Sequence, residues 1–247
     1  MNHRPIRYAL TGALALVVVT ACGSSSSSSS SASTPSTSPS PSASPTGPQT
    51  LTGTFKITAG TCTGPNASGS YFRMIVPGGS VQAGKFFNNP DSLCADKSYT
   101  LVGPGTDGGF ITGKYQPNPA TAFDASGNAT AGQIVAPTAF TAIKFSISTN
   151  PKDPQTGKAV PAPSITVDNG KLSGQVQAWS AQWNHQSFNQ GSPKPGGASP
   201  GITAPVAGTY DPATKAFVLT WTSQVAGGPF NAFSGYWHLT GPFVPAS

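Results

Sequence analysis

The chain contains no glutamate, and only 8% of its 247 residues are charged. Its seven acidic residues are all aspartates, and most of them stand beside glycine, proline or asparagine, a pattern typical of turns. Helix surfaces are normally built from Glu, Lys, Arg and Gln, whereas this chain has 29 glycines and 25 prolines. The composition therefore argues against a helical protein.

Clustered positive charge is also missing, although the formal net charge is +6. Arg73 is the one arginine after Arg7, and the lysines are scattered along the chain. Nucleic-acid binding needs a basic stripe or patch. The sequence therefore predicts no nucleic-acid partner.

Most of the usual signs of catalysis and metal binding are absent. The chain has no H-E-x-x-H, no EF-hand loop and no C-x-x-C. The active site of a glycoside hydrolase usually needs a pair of carboxyl groups, and such a pair is hard to form without glutamate. The sequence predicts no catalytic residue, metal or cofactor. One alternative stays open, an exported hydrolase whose Ser/His/Asp site is assembled in space around His185 or His238.

Residues 1–21 have the features of a secretory signal. Arg4 and Arg7 precede an apolar stretch over residues 9–19, which is shorter than the roughly 20 residues of a membrane-spanning helix. The stretch ends in Val19-Thr20-Ala21-Cys22.

This ending resembles the lipobox of bacterial lipoproteins. The resemblance implies cleavage before Cys22 and a diacylglyceryl group on its sulfur. The protein would then lie on the extracytoplasmic face of the cell membrane, with the lipid bilayer as a partner, held by its fatty acyl chains. The alternative is an ordinary export signal with a coincidental cysteine.

Residues 22–50 are predicted to be Cys22 followed by a disordered tether. They include eight consecutive serines, then mixed Ser, Pro, Thr and Ala, and cannot bury apolar area. Residues 51–247 are predicted to form a single exported domain. If Cys22 carries lipid, Cys62 and Cys94 remain, and export permits them to form a disulfide.

Alternation of apolar and polar residues with a period of two recurs through the domain. It predicts strands over residues 51–58, 71–76, 99–102, 110–115, 140–149, 164–167, 171–183, 216–225 and 235–239. Asp168-Asn169-Gly170 is a strong hairpin signal, whereas residues 150–163 and 190–205 are predicted to be loops. The predicted fold is an all-β antiparallel sandwich or barrel.

The stretch from Trp221 to Leu239 is similar to segments of exported β-rich bacterial proteins. This resemblance implies a β-rich fold but no activity.

Aromatic residues give the candidate binding site. In strand geometry Trp179, Trp183 and His185 share one face, and Tyr236 and His238 share another. Such residues either belong to the core or form a platform for a neutral small molecule, a glycan or an envelope protein. The leading hypothesis is a non-enzymatic binding module, and a passive envelope structural protein is a further alternative.

Overall fold

The computed structural model describes residues 47–247, so the predicted signal, Cys22 and most of the predicted tether lie outside the described residues. Regular structure in the described part is β-strand, apart from one 3₁₀ turn at Pro195–Gly197. Its strand pairs are antiparallel. The predicted all-β antiparallel class is confirmed.

The strands in chain order are β1 Gln49–Leu51, β2 Gly53–Lys56, β3 Thr61–Thr63, β4 Asn66–Ser68, β5 Tyr71–Ser80, β6 Gly84–Phe86, β7 Thr100–Leu101, β8 Gly109–Ile111, β9 Val135–Phe140, β10 Ile143–Thr149, β11 Ser164–Asp168, β12 Lys171–Gln175, β13 Trp179–Trp183, β14 Gln186–Asn189, β15 Ala204–Tyr210, β16 Ala216–Gln224 and β17 Ser234–Pro245. Because β1 already pairs with β11, the folded part begins slightly before the predicted boundary at residue 51.

The larger sheet has the strand order β1-β11-β12-β15-β16-β17-β2-β8. A single residue, Thr52, separates β1 from β2, although these strands pair with opposite ends of the row that runs from β11 to β17. The row must therefore curl until its two ends approach each other. The N-terminal half of β17 also pairs with β5, which in turn pairs with β6 and β7.

The smaller sheet, β14-β13-β10-β9, packs against this curled sheet. Trp179 on β13 contacts Trp221 on β16 and Trp237 on β17, with ring centroids 5.1 and 5.7 Å apart. These contacts lie within one continuous apolar core. Phe217, Leu219 and Trp221 alternate along β16, and all three face that core.

Two hairpin turns show how local sequence directs the topology. Asn169 (φ 48°) and Gly170 (φ 74°) both have left-handed backbones between β11 and β12, as a two-residue hairpin turn requires. This predicted turn is confirmed. Asn184 and His185 make a similar turn between β13 and β14, with φ values of 49° and 58°. Neither residue of this turn is a glycine, so no turn signal marks it in the sequence.

The predicted disulfide is present: Cys62 on β3 is joined to Cys94. Cys94 lies in the segment between β6 and β7, and its side chain is buried. The β3–β4 hairpin is a separate two-stranded sheet. The disulfide therefore ties this small hairpin to the segment that precedes β7.

Candidate functional site

The five aromatic and histidine residues predicted as one site lie in three different places. Trp179 is fully buried and Trp183 is 9% exposed. The Trp183 indole Nε1 donates to the Phe140 carbonyl oxygen at 2.9 Å, and its ring lines an apolar cavity of ≈ 50 Å³ between the sheets. Ligand pockets usually occupy roughly 300–1,000 Å³. Both tryptophans are core residues, in agreement with the alternative stated for them.

His185 does not share a strand face with the two tryptophans, because β13 ends at Trp183 and His185 occupies the following turn. Its ring lies 5.7 Å from that of Phe123. The prediction of one continuous face is therefore wrong at His185. Unlike the exposed His185, Gln182 on β13 is buried, and its side chain donates to Ser180 on the same strand.

Tyr236 and His238 do share a face, the outer face of β17, while Trp237 between them points into the core. On the adjacent strand β5, Tyr71 stands opposite His238 and Arg73 stands opposite Tyr236. Tyr99, just before β7, completes the group. We call these five half-buried residues the tyrosine patch: Tyr71, Arg73, Tyr99, Tyr236 and His238.

The rings of the tyrosine patch contact one another directly. Tyr71 stacks on the imidazole of His238 with ring centroids 4.5 Å apart and planes 7° from parallel. Tyr99 meets Tyr71 edge-on at 5.0 Å, and Tyr236 lies 6.3 Å from Tyr71. Such contacts hold the rings in fixed orientations, so a ligand would meet a preorganised surface.

Arg73 forms one side of the patch. Its guanidinium carbon lies 4.2 Å from the ring centroid of Tyr99 and 3.4 Å from that of Phe86. The same guanidinium donates to the Ser98 hydroxyl (Nη2 at 2.6 Å) and forms an ion pair with Asp96 at 3.5 Å. The charge of Arg73 is thus balanced within the protein.

Tyr71, Tyr236 and His238 are uncharged at neutral pH. Burial, together with the neighbouring Tyr236 phenol, raises the pKa of Tyr71, and burial also raises the pKa of Tyr236. Burial lowers the pKa of His238, although a hydrogen bond to the Gly69 carbonyl oxygen opposes this. Partial burial works against ionisation of Asp96, but the Ser98 hydrogen bonds and the Arg73 charge outweigh it and lower its pKa. The patch therefore presents the neutral rings of Tyr71, Tyr236 and His238 beside one balanced ion pair.

Sequence reasoning found Tyr236 and His238 but missed Tyr71, Arg73 and Tyr99. The period-two pattern places residues on a face of their own strand, but it does not say which strand lies alongside. Tyr71 and His238 are 167 positions apart, and only the β5–β17 pairing brings them together. A usable signal was the alternation Tyr71-Phe72-Arg73-Met74, which places Tyr71 and Arg73 on one face.

The geometry needed by the hydrolase alternative is not formed in residues 47–247. No hydrogen bond in this range joins His185 or His238 to a serine hydroxyl or to a carboxylate; the partner of the His238 ring is the Gly69 carbonyl oxygen. A G-x-S-x-G sequence, the pattern around the nucleophile of many hydrolases, occurs at residues 197–201. Its serine, Ser199, lies in an exposed loop after a 3₁₀ turn, not in the strand-to-helix elbow of that motif.

Two further features of the described residues concern metal ions and membranes. The described part of the chain holds no group of three or more His, Cys, Asp or Glu side chains arranged to bind a metal ion. None of its helices has the length and apolar character needed to cross a bilayer.

Comparison with known proteins identifies no relative of this chain. No protein-family profile, curated protein or solved structure matches the chain.

Proposed function

We propose that this protein is a non-enzymatic binding module that recognises a neutral glycan through the tyrosine patch and is displayed on the outer side of a cell membrane by a lipid on Cys22. The observation that supports the binding role best is the cluster of preorganised, half-exposed rings on β5 and β17. The anchoring role is supported by the lipobox sequence before Cys22.

The chemistry of the patch favours a sugar over a charged ligand. Tyrosine combines an apolar ring with a hydroxyl that both donates and accepts, and sugar rings offer apolar C–H faces bordered by hydroxyls. The charge of the Arg73 guanidinium is already balanced by Asp96, so a phosphate or carboxylate would have to compete with that carboxylate for it. A neutral ligand with many hydroxyls matches this arrangement.

Replacing Tyr236 with alanine is expected to weaken oligosaccharide binding by about tenfold, because it removes the ring that lies beside Tyr71. The measurement is isothermal titration calorimetry with a panel of neutral oligosaccharides, including glucans, mannans, galactans and oligomers of N-acetylglucosamine. Thermal unfolding of the same variant checks that the domain stays folded.

Tyr115→Ala is the matched control for this experiment, since Tyr115 is 40% exposed and does not belong to the patch. Its affinity should equal that of the unaltered protein. If no oligosaccharide in the panel binds, or if Tyr236→Ala and Tyr71→Ala bind as well as Tyr115→Ala, the patch is not a glycan site.

The lipid anchor makes its own prediction. The processed protein should begin at Cys22, and mass spectrometry of its N-terminal peptide should show a diacylglyceryl group on the cysteine. Cys22→Ala should leave the membrane fraction, because its attachment depends on the acyl chains. Thr20→Ala keeps a small residue in the lipobox and should stay membrane-bound. An N-terminal peptide without fatty acyl chains would contradict the proposed anchor.

A further inference from the structure

A cleft whose lining includes charged and amide residues lies on a different part of the domain from the tyrosine patch, where the ends of β14 and β16 meet the loop over residues 150–163. Gln155 in this loop joins both sheets: its Oε1 accepts from the Asn189 backbone N–H at 3.0 Å, and its Nε2 donates to the Ala226 carbonyl oxygen. The cleft has a volume of ≈ 160 Å³. Its lining includes Asp153, Lys158, Asn189, Lys194 and Gln224.

Lys194 is a buried cation in the wall of this cleft, with 8% of its surface exposed. Its Nζ donates to the Asn189 carbonyl oxygen at 2.7 Å and lies 3.4 Å from the Asn189 Oδ1. An ammonium has three N–H donors, so at least one remains for another acceptor. Burial lowers the pKa of Lys194 to about 8, against the opposing charge of Asp153, and the group is mainly protonated at pH 7.

Asp153 is the other buried charged group of the cleft, and it is 2% exposed. Its Oδ2 accepts from the Thr156 backbone N–H at 2.7 Å and from the Thr156 hydroxyl at 2.6 Å. Its Oδ1 is buried and has no hydrogen-bond partner. A buried carboxylate oxygen without a partner is costly, and Asp153 and Lys194 do not form an ion pair with each other in the described structure.

We propose that this cleft binds a small zwitterion, a free amino acid, whose ammonium pairs with Asp153 Oδ1 and whose carboxylate pairs with Lys194 Nζ. The proposal rests on two opposite buried charges that line one cleft, each with unused hydrogen-bonding capacity. Charge-assisted hydrogen bonds are about twice as strong as neutral ones, so a ligand with both charges gains more here than an alcohol or an amide does.

The size of the cleft limits the ligand. The cleft volume of ≈ 160 Å³ lies below the roughly 300–1,000 Å³ of pockets that hold drug-sized ligands, so a small ligand is favoured. Glycine, alanine and serine fit this limit. Larger amino acids would need their side chains to project from the open side of the cleft.

The first test uses the unaltered protein and calorimetric titration with glycine and L-alanine. N-acetylglycine lacks the ammonium and glycinamide lacks the carboxylate, so each should bind at least tenfold more weakly than glycine. Glycerol tests the competing view that the cleft selects hydroxyl groups.

Binding of glycine should also weaken as the pH rises through about 8, because Lys194 then loses its proton. Asp153 and Lys158 are the other charged groups lining the cleft.

The second test compares a lysine of the cleft with a lysine outside it. Lys194→Met should lower the affinity for glycine at least tenfold, whereas Lys171→Met, at an exposed position on β12 outside the cleft, should leave it nearly unchanged. If Lys194→Met fails to fold, the analogue series with the unaltered protein still decides the question. The proposal is overturned if glycine and L-alanine do not bind at tens of millimolar, if glycerol binds equally well, or if a crystal soaked in glycine shows only water in the cleft.

Discussion

Replacing Trp179 with alanine is expected to lower the free energy of unfolding by about 4 kcal/mol. Trp179 is fully buried, and its ring packs edge-on against Trp221 and Phe110, with centroids 5.1 and 5.9 Å away. Truncation would leave a cavity where the two sheets meet, and the neighbouring tryptophans are too large to fill it by small rotations. Urea unfolding followed by circular dichroism measures the change.

The indole nitrogens of the core provide a matched comparison. The Nε1 of Trp179 has no hydrogen-bond partner, whereas the Nε1 of Trp221 donates to the Gln190 carbonyl oxygen at 2.9 Å. Trp179→Phe should therefore cost less than Trp221→Phe, which deprives a buried carbonyl of its donor as well as removing volume. If Trp179→Ala changes the unfolding free energy by less than about 1 kcal/mol, Trp179 does not join the sheets as described.

Trp183 illustrates a limit of the sequence-based site prediction. A period-two pattern shows that Trp179 and Trp183 share a face, but the same pattern describes a core face and a ligand platform equally well. The larger, curled sheet decides between a core face and a ligand platform. β13 lies between β10 and β14 in the smaller sheet, and its tryptophans face the curled sheet. Burial of both rings follows from sheet packing, which a single strand does not encode.

Proline explains two strands that the sequence prediction missed. The sequence predicts a loop at residues 204 and 205, yet β15 begins at Ala204, and its register with β16 shifts between Ala204 and Ala207, next to Pro205. β9 contains Pro137 but lies at the edge of the smaller sheet, where a missing N–H is tolerated. Proline in a sequence favours the end of a strand, so neither segment is predicted as a strand. The fold accommodates Pro205 with an irregular register in β15 and Pro137 with the edge position of β9.

Serines on β10 mark a further difference. The alternation places Ser146 and Ser148 on the face opposite Phe145 and Ile147, and in the structure both serines on this polar face are buried, with 1% exposed. The Ser148 hydroxyl contacts Asn118 and lies 3.2 Å from the Gln182 Oε1. The long segment between β8 and β9 covers this outer face, and its path cannot be read from strand periodicity.

The Cys62–Cys94 disulfide is expected to contribute about 3.5 kcal/mol to stability, which the Cys62→Ala/Cys94→Ala double variant would lose. The two cysteines are 32 positions apart, and the bond removes the corresponding loop-closure entropy from the unfolded chain. The closed loop includes β4, β5 and β6, and Tyr71 and Arg73 of the tyrosine patch lie within it. Loss of the bond should therefore loosen the patch as well as lower the unfolding free energy.

Reductant separates the effect of the bond from the effect of the substitutions. The unaltered protein should lose about the same stability in a phosphine reductant as the double variant loses without it, while the double variant should not respond to the reductant. Cys94 is buried, so its substitution by alanine also removes some packing. The difference in stability between the reduced unaltered protein and the double variant measures this loss of packing. If denaturant unfolding shows equal stability for the oxidised and the reduced protein, strand pairing alone constrains the loop between the two cysteines. The disulfide then does not stabilise the tyrosine patch.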